Sequence, residues 1–126
     1  MIVITGAAGF IGSVLVQKLN KEGYEDVVLV DDFSKKEKTA NWKSLSYSHK
    51  IDRVQFFSWL EENEKQVQFI FHIGARTDTT EFNKTIFNEL NLNYTQQLWR
   101  ICVKYGLSMV YASSAATYGM GEEGYQ

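Results

Sequence analysis

Short unbroken apolar runs alternate along this chain with stretches in which apolar residues return every three or four positions. The runs fall at residues 2–5, 26–32 (DVVLVDD), 68–73 (QFIFHI) and 109–112. Each has the length of a strand and too few polar residues to leave a face in water, as in a parallel sheet covered by helices on both sides. The periodic stretches predict helices over 10–19 (Phe10, Ile11, Val14, Leu15, Leu19), over 53–64 (Val54, Phe57 and Leu60, widened by Phe56 and Trp59) and over 83–105 (Phe87, Leu90, Tyr94, Leu98, Ile101, Cys102, Tyr105). Gly23 and Gly106 end the first and last of them. Residues 33–50 are polar and show no sustained period, which predicts a loop with a short helix near Trp42. Strand, helix and strand in repetition give an α/β fold, a doubly wound parallel sheet with right-handed connections.

Composition narrows the class without changing that picture. With 126 residues, 44% of them apolar and 22% charged, the chain can bury one core and is not a disordered polypeptide. A net charge of −2 gives no footprint for nucleic acid or an anionic membrane. Cys102 is the lone cysteine and reads as a buried thiol in a helix of a cytoplasmic protein. The first 17 residues carry no charge, but they lack a basic leader, fall short of a span and are interrupted by Thr5, Gly6, Gly9 and Gly12, so neither a targeting nor a membrane segment is expected.

Chemistry enters at Gly6, Gly9 and Gly12, spaced three apart between the first strand and the first helix. A glycine turn there lets backbone N–H groups at a helix N-terminus approach a pyrophosphate, so a Rossmann-like dinucleotide site is expected over residues 1–126. No Gly-Lys-Ser/Thr follows, which disfavours a P-loop. Asp31 and Asp32 end the second run about 25 residues after Gly6, where one of them would meet the adenosine ribose. The alternative is that both merely cap strand ends. Lys35, Lys36, Lys38, Lys43, Lys50 and Arg53 follow, opposed only by Glu37 and Asp52. They form either a solvated loop or a patch for a 2′-phosphate, in which case the cofactor is NADP rather than NAD. The polar segment 76–81 leaves the run ending His72-Ile73-Gly74-Ala75 and is expected to be a cofactor or substrate loop. His72 reads as a packed, hydrogen-bonded histidine rather than a catalyst. Ser113-Ser114 follows the last strand and serves either a substrate oxygen or a helix cap. No metal or nucleophile spacing is present.

Taken together, TGAAGFIG (5–12), LVDD (29–32), FHIGARTDTTE (71–81), Asn91 and VYASSAATYG (110–119) resemble the extended short-chain dehydrogenase/reductase family, and within it the enzymes that epimerise nucleotide-linked sugars. The resemblance implies an NADP-dependent isomerase acting on a nucleotide sugar, homo-oligomeric at full length. It implies that Gly6, Gly9, Phe10, Ile11 and Gly12 hold the pyrophosphate and that Asp31 and Asp32 lie at the adenosine ribose. Lys38 and Arg53 would lie near the 2′-phosphate, with Ala75, Arg76, Thr77, Asp78 and Thr79 lining the cofactor, Asn91 supporting the fold beneath it and Ser114 contacting substrate in the active site. The family's Tyr-x-x-x-Lys pair lies beyond the serine loop, and Tyr118, with Glu122 four residues later, is not that pair. The resemblance therefore implies a truncated domain without the small C-terminal substrate domain, and residues 1–126 alone are expected to be inactive.

Overall fold

The structure, a computed structural model, describes residues 1–34, 36, 39–74 and 81–113, with residues 74, 81–92, 112 and 113 described as backbone. Strand β1 (Ile2–Thr5) leads into helix α1 (Phe10–Lys21), then β2 (Val27–Asp31), the one-turn helix α2 (Thr39–Trp42), β3 (His49–Asp52) and α3 (Phe56–Asn63). After a 3-10 turn (Glu64–Gln66) come β4 (Phe69–Gly74), the long α4 (Glu81–Tyr105) and β5 (Met109–Ser113). The strands pair in parallel in the order β3-β2-β1-β4-β5. This is the Rossmann-like sheet expected from the alternation of apolar runs and periodic stretches.

Alternate side chains of the central strands feed two cores. Val3, Val28, Val30 and Ile70 pack with Phe56 and Leu60 of α3 and with Leu98, Ile101 and Cys102 of α4. Ile4, Val27 and Leu29 pack on the opposite face with Val16 of α1 and Trp42 of α2. Strand β2 has every residue from Val27 to Val30 buried because it carries a helical layer on each side.

Two expectations need correction. Residues 49–52 form a strand, not the end of a loop and the approach to a helix: His49 pairs with Val28 and Asp52 with Asp31. Strand β3 holds one aliphatic residue, Ile51, and is the first strand in the sheet order, so it needs no apolar run and offers none to a periodicity reading. The helix expected over 53–64 begins only at Phe56, and Val54 lies outside it, 82% exposed. The buried face of α3 is Phe56 and Leu60, four residues apart.

The sheet order places a crevice. From β1 the chain crosses to β2 and β3 on one side, and from β3 it returns to β4 on the other. The C-terminal ends of β1 and β4 are therefore neighbours from which the chain departs in opposite directions, the place where open α/β sheets take ligands.

Candidate functional site

Gly6 and Gly12 are required by contact at that crevice. Gly6 has φ +71°, and a Cβ there would stand 2.8 Å from the Ile73 carbonyl oxygen at the end of β4. A Cβ on Gly12 would overlap the Gly6 carbonyl oxygen, so the first turn of α1 sits directly on the glycine turn. Gly9 is different: its Cβ would meet nothing nearer than 3.5 Å. As the N-cap of α1 it leaves the helix without a side-chain cap, and no acid occupies the first turn. The N–H groups that open α1 are thus left for a ligand, and an anion is what the helix dipole favours there. Phe10 stands beside them, 77% exposed. The turn therefore fits a dinucleotide pyrophosphate on its own geometry.

The turn is tied to its neighbours through Ala8. Its N–H donates to Oδ2 of Asp31 at 2.9 Å, and its carbonyl accepts from Nδ2 of Asn41 at 2.8 Å. The Asp32 N–H donates to Oδ1 of Asp31 at 2.6 Å, so both oxygens of that carboxylate are engaged by backbone. Asp32 in turn accepts from the N–H and hydroxyl of Ser34 through Oδ1. Asp31 is thus a brace for the glycine turn, a role that the choice between ribose ligand and strand cap did not include.

Among the described residues the basic run does not stay together; Lys35 and Lys38 lie outside them. Lys36 and Lys43 are exposed. Nζ of Lys50 lies 4.4 Å from the Trp42 ring centroid and 5.3 Å from that of Phe33, on the α2 side of the sheet. Arg53, one residue past β3, donates its N–H to the Asp31 carbonyl at 3.0 Å and lays its guanidinium 4.4 Å from the Tyr94 ring centroid, on the α4 side.

His72 is buried between two hydroxyls. Its Nδ1 is 2.6 Å from Thr5 Oγ1 and its Nε2 is 2.8 Å from Thr95 Oγ1, while Thr5 Oγ1 also accepts the Ile73 N–H at 3.1 Å. Burial, with a smaller contribution from the Arg53 charge, lowers its pKa to about 4, so it is neutral at physiological pH and holds β1, β4 and α4 together. The His72 ring stacks on Tyr94 at 5.9 Å and packs on Tyr111 at 5.3 Å. Tyr94 is pushed up to about 12, first by burial, with Arg53 opposing the rise and Asp52 and Asp31 adding to it, so its phenol stays protonated. The Cys102 thiol is the buried helical thiol expected from the sequence, and burial raises it to about 11.

Gly6, Gly9, Phe10, Ile11, Gly12, Asp31, Asp32 and Arg53 thus gather at the C-terminal edge of the sheet. Lys38, residues 75–79 and Ser114 lie outside the described residues, and Asn91 is described as backbone in α4. Sequence reasoning missed Asn41, Thr5, Thr95 and Tyr94, which act by hydrogen bond or ring contact across distant segments and leave no local pattern. Among the described residues no group of His, Cys, Asp and Glu could hold a metal ion, and no helix is long and apolar enough to cross a membrane.

Comparison with known proteins places this geometry. The family model of the NAD dependent epimerase/dehydratase family matches residues 2–126. A curated relative from Fusobacterium nucleatum, named ADP-L-glycero-D-manno-heptose-6-epimerase, is 42% identical over 99% of this chain and 38% of its own length. The crystal structure of UDP-glucuronic acid 4-epimerase from Bacillus cereus in complex with NAD matches with a TM-score of 0.72 and 29% identity, over 94% of this chain and 41% of that one. That of ADP-L-glycero-D-manno-heptose-6-epimerase from Helicobacter pylori matches at 0.66 and 27%, over 97% and 41%. The chain spans about two-fifths of the length of the curated relatives it matches.

Proposed function

The chain belongs to the NAD dependent epimerase/dehydratase family, and from that premise we propose that its full-length gene product is an NADP-dependent epimerase inverting C6 of ADP-glycero-manno-heptose. The observation that carries the sugar is the likeness to the Fusobacterium epimerase over almost the whole chain. A nicotinamide dinucleotide, when bound, supplies reversible hydride acceptance, so inversion at a carbinol carbon needs no net redox change. This chain's residues bind and orient. The uncapped start of α1, with Gly6, Gly9, Phe10, Ile11 and Gly12, takes the pyrophosphate. Asp31 and Asp32 stand at the adenosine ribose, Lys38 and Arg53 at its 2′-phosphate, and residues 75–79 line the cofactor, with Asn91 beneath. Ser114 orients the sugar by donating a hydrogen bond to the reacting oxygen; an unactivated hydroxyl cannot by itself move that proton at neutral pH.

The test is to incubate the full-length gene product separately with each C6 epimer of the ADP-heptose. Both epimers should appear from either one, with no accumulation of reduced cofactor. Net reduction, or loss of water from the sugar, would replace this reading with a reductase or dehydratase of the same family. NAD in place of NADP is the second reading of the cofactor, favoured by the NAD bound in the Bacillus cereus enzyme.

A further inference from the structure

Tyr94 holds Arg53 at two points. Its hydroxyl donates to the Arg53 carbonyl oxygen at 2.9 Å, and its ring faces the guanidinium at 4.4 Å. The Arg53 N–H is bonded to the end of β2, so a residue just past an edge strand is secured by both β2 and α4. Tyr94 is itself fixed, its ring 4.6 Å from that of Phe57 and stacked on His72, which packs on Tyr111. Arg53, Tyr94, His72 and Tyr111 thus form one continuous stack across the C-terminal edge of the sheet. Among the described residues no carboxylate lies within ion-pair distance of the guanidinium. A guanidinium held over a ring face is attracted without spending its N–H donors on hydrogen bonds to the ring, which leaves them for an anion.

The like charge of Asp31 is the obvious obstacle to an anion here. Both of its carboxylate oxygens, however, accept backbone N–H groups, those of Ala8 and Asp32, which offset part of its charge. We propose that Tyr94 is a positioning residue that aims the Arg53 guanidinium at the cofactor 2′-phosphate and thereby sets the preference for NADP over NAD. The proposal rests on the reading above that Arg53 meets that phosphate. Tyr94 touches neither cofactor nor substrate in this role; it acts through Arg53.

The experiment measures NADP and NAD dissociation constants by calorimetry on the cofactor-free full-length gene product and its variants. Arg53→Ala should weaken NADP by about 10- to 100-fold and leave NAD within about 2-fold, as expected for loss of a charge-assisted contact. Tyr94→Leu should weaken NADP by about 3- to 10-fold with NAD unchanged, and Tyr94→Phe, which keeps the ring, by less than about 3-fold. In the Arg53→Ala background Tyr94→Leu should no longer alter the ratio of the two constants. If Tyr94→Leu melts below the assay temperature, Tyr94→Met, of similar reach but without a ring face, takes its place. Selective loss in Arg53→Ala without any in the Tyr94 variants overturns the positioning role and leaves the cofactor reading intact. Equal effects of Arg53→Ala on both cofactors, or none, overturn the cofactor reading and the positioning role with it.

Discussion

Acid should loosen this fold through one imidazole. His72 is 5% exposed, with a pKa lowered from 6.5 to about 4, chiefly by burial and secondarily by Arg53. Its two hydroxyl partners can each accept as well as donate, so hydrogen bonding does not forbid the imidazolium; loss of hydration does. The unfolded chain binds the proton near pH 6.5, whereas the folded chain resists until about pH 4. The stabilising contribution is therefore complete above pH 6.5, declines as pH falls toward 4, and declines no further below that, when both states are protonated. A shift from 6.5 to about 4 corresponds to about 3 kcal/mol across that window. Urea unfolding of the full-length gene product, followed by tryptophan fluorescence between pH 7 and 4, measures it. His72→Gln keeps an amide donor and acceptor but cannot titrate. The native protein should lose about 3 kcal/mol more than this variant over the same range, with equal denaturant slopes. Parallel stability curves for the two proteins would refute the reasoning.

Gly12→Ala should cost about 2 kcal/mol despite the better helix propensity of alanine, because its Cβ meets the Gly6 carbonyl, whereas Gly9→Ala should stay within about 0.5 kcal/mol. Thermal unfolding distinguishes the pair; equal costs would remove the close-approach argument. Asp31→Ala strands the Ala8 and Asp32 N–H groups and should destabilise by about 1–3 kcal/mol, and dinucleotide binding should weaken alongside. Retention of both stability and affinity in that variant would show that the brace is dispensable. Lys50→Met removes a cation from the Trp42 and Phe33 rings and should change stability by about 1 kcal/mol or less while leaving the ratio of NADP to NAD affinity untouched. A changed ratio would return Lys50 to the phosphate patch.

What could be read in the sequence was whatever the interior enforces repeatedly. Strands β1, β2 and β4 are legible because buried strands must be apolar, whereas β5 has an equally apolar run with Val110 and Tyr111 about half exposed. Helices α1 and α4 are legible because a helix on a sheet must repeat its apolar face, although Phe10 and Val14 of the expected α1 stripe face outward. Strand β3 is not legible, since an edge position asks only for Ile51 to face inward. The glycine turn is legible because Gly6 and Gly12 are demanded by contacts that no other residue permits. Asp31 was found for its position, but its engagement with Ala8 depends on how a turn 23 residues away folds back. The charge run hides a division that only strand alternation makes, with Lys50 on one side of the sheet and Arg53 on the other. Tyr94 is invisible for a similar reason: within its helix it is simply one more apolar-stripe residue.

The peptide groups around Ala8 are held from both sides, the N–H by the end of β2 and the carbonyl by α2. The loop that would contact a pyrophosphate is thus shaped when the chain folds, and its conformational entropy is lost then rather than on ligand arrival. Such a turn binds without an ordering step, so association need not wait on loop rearrangement. The converse also holds by linkage: a ligand that occupies the folded turn stabilises the fold that shapes it, the joint between β2 and α2 included.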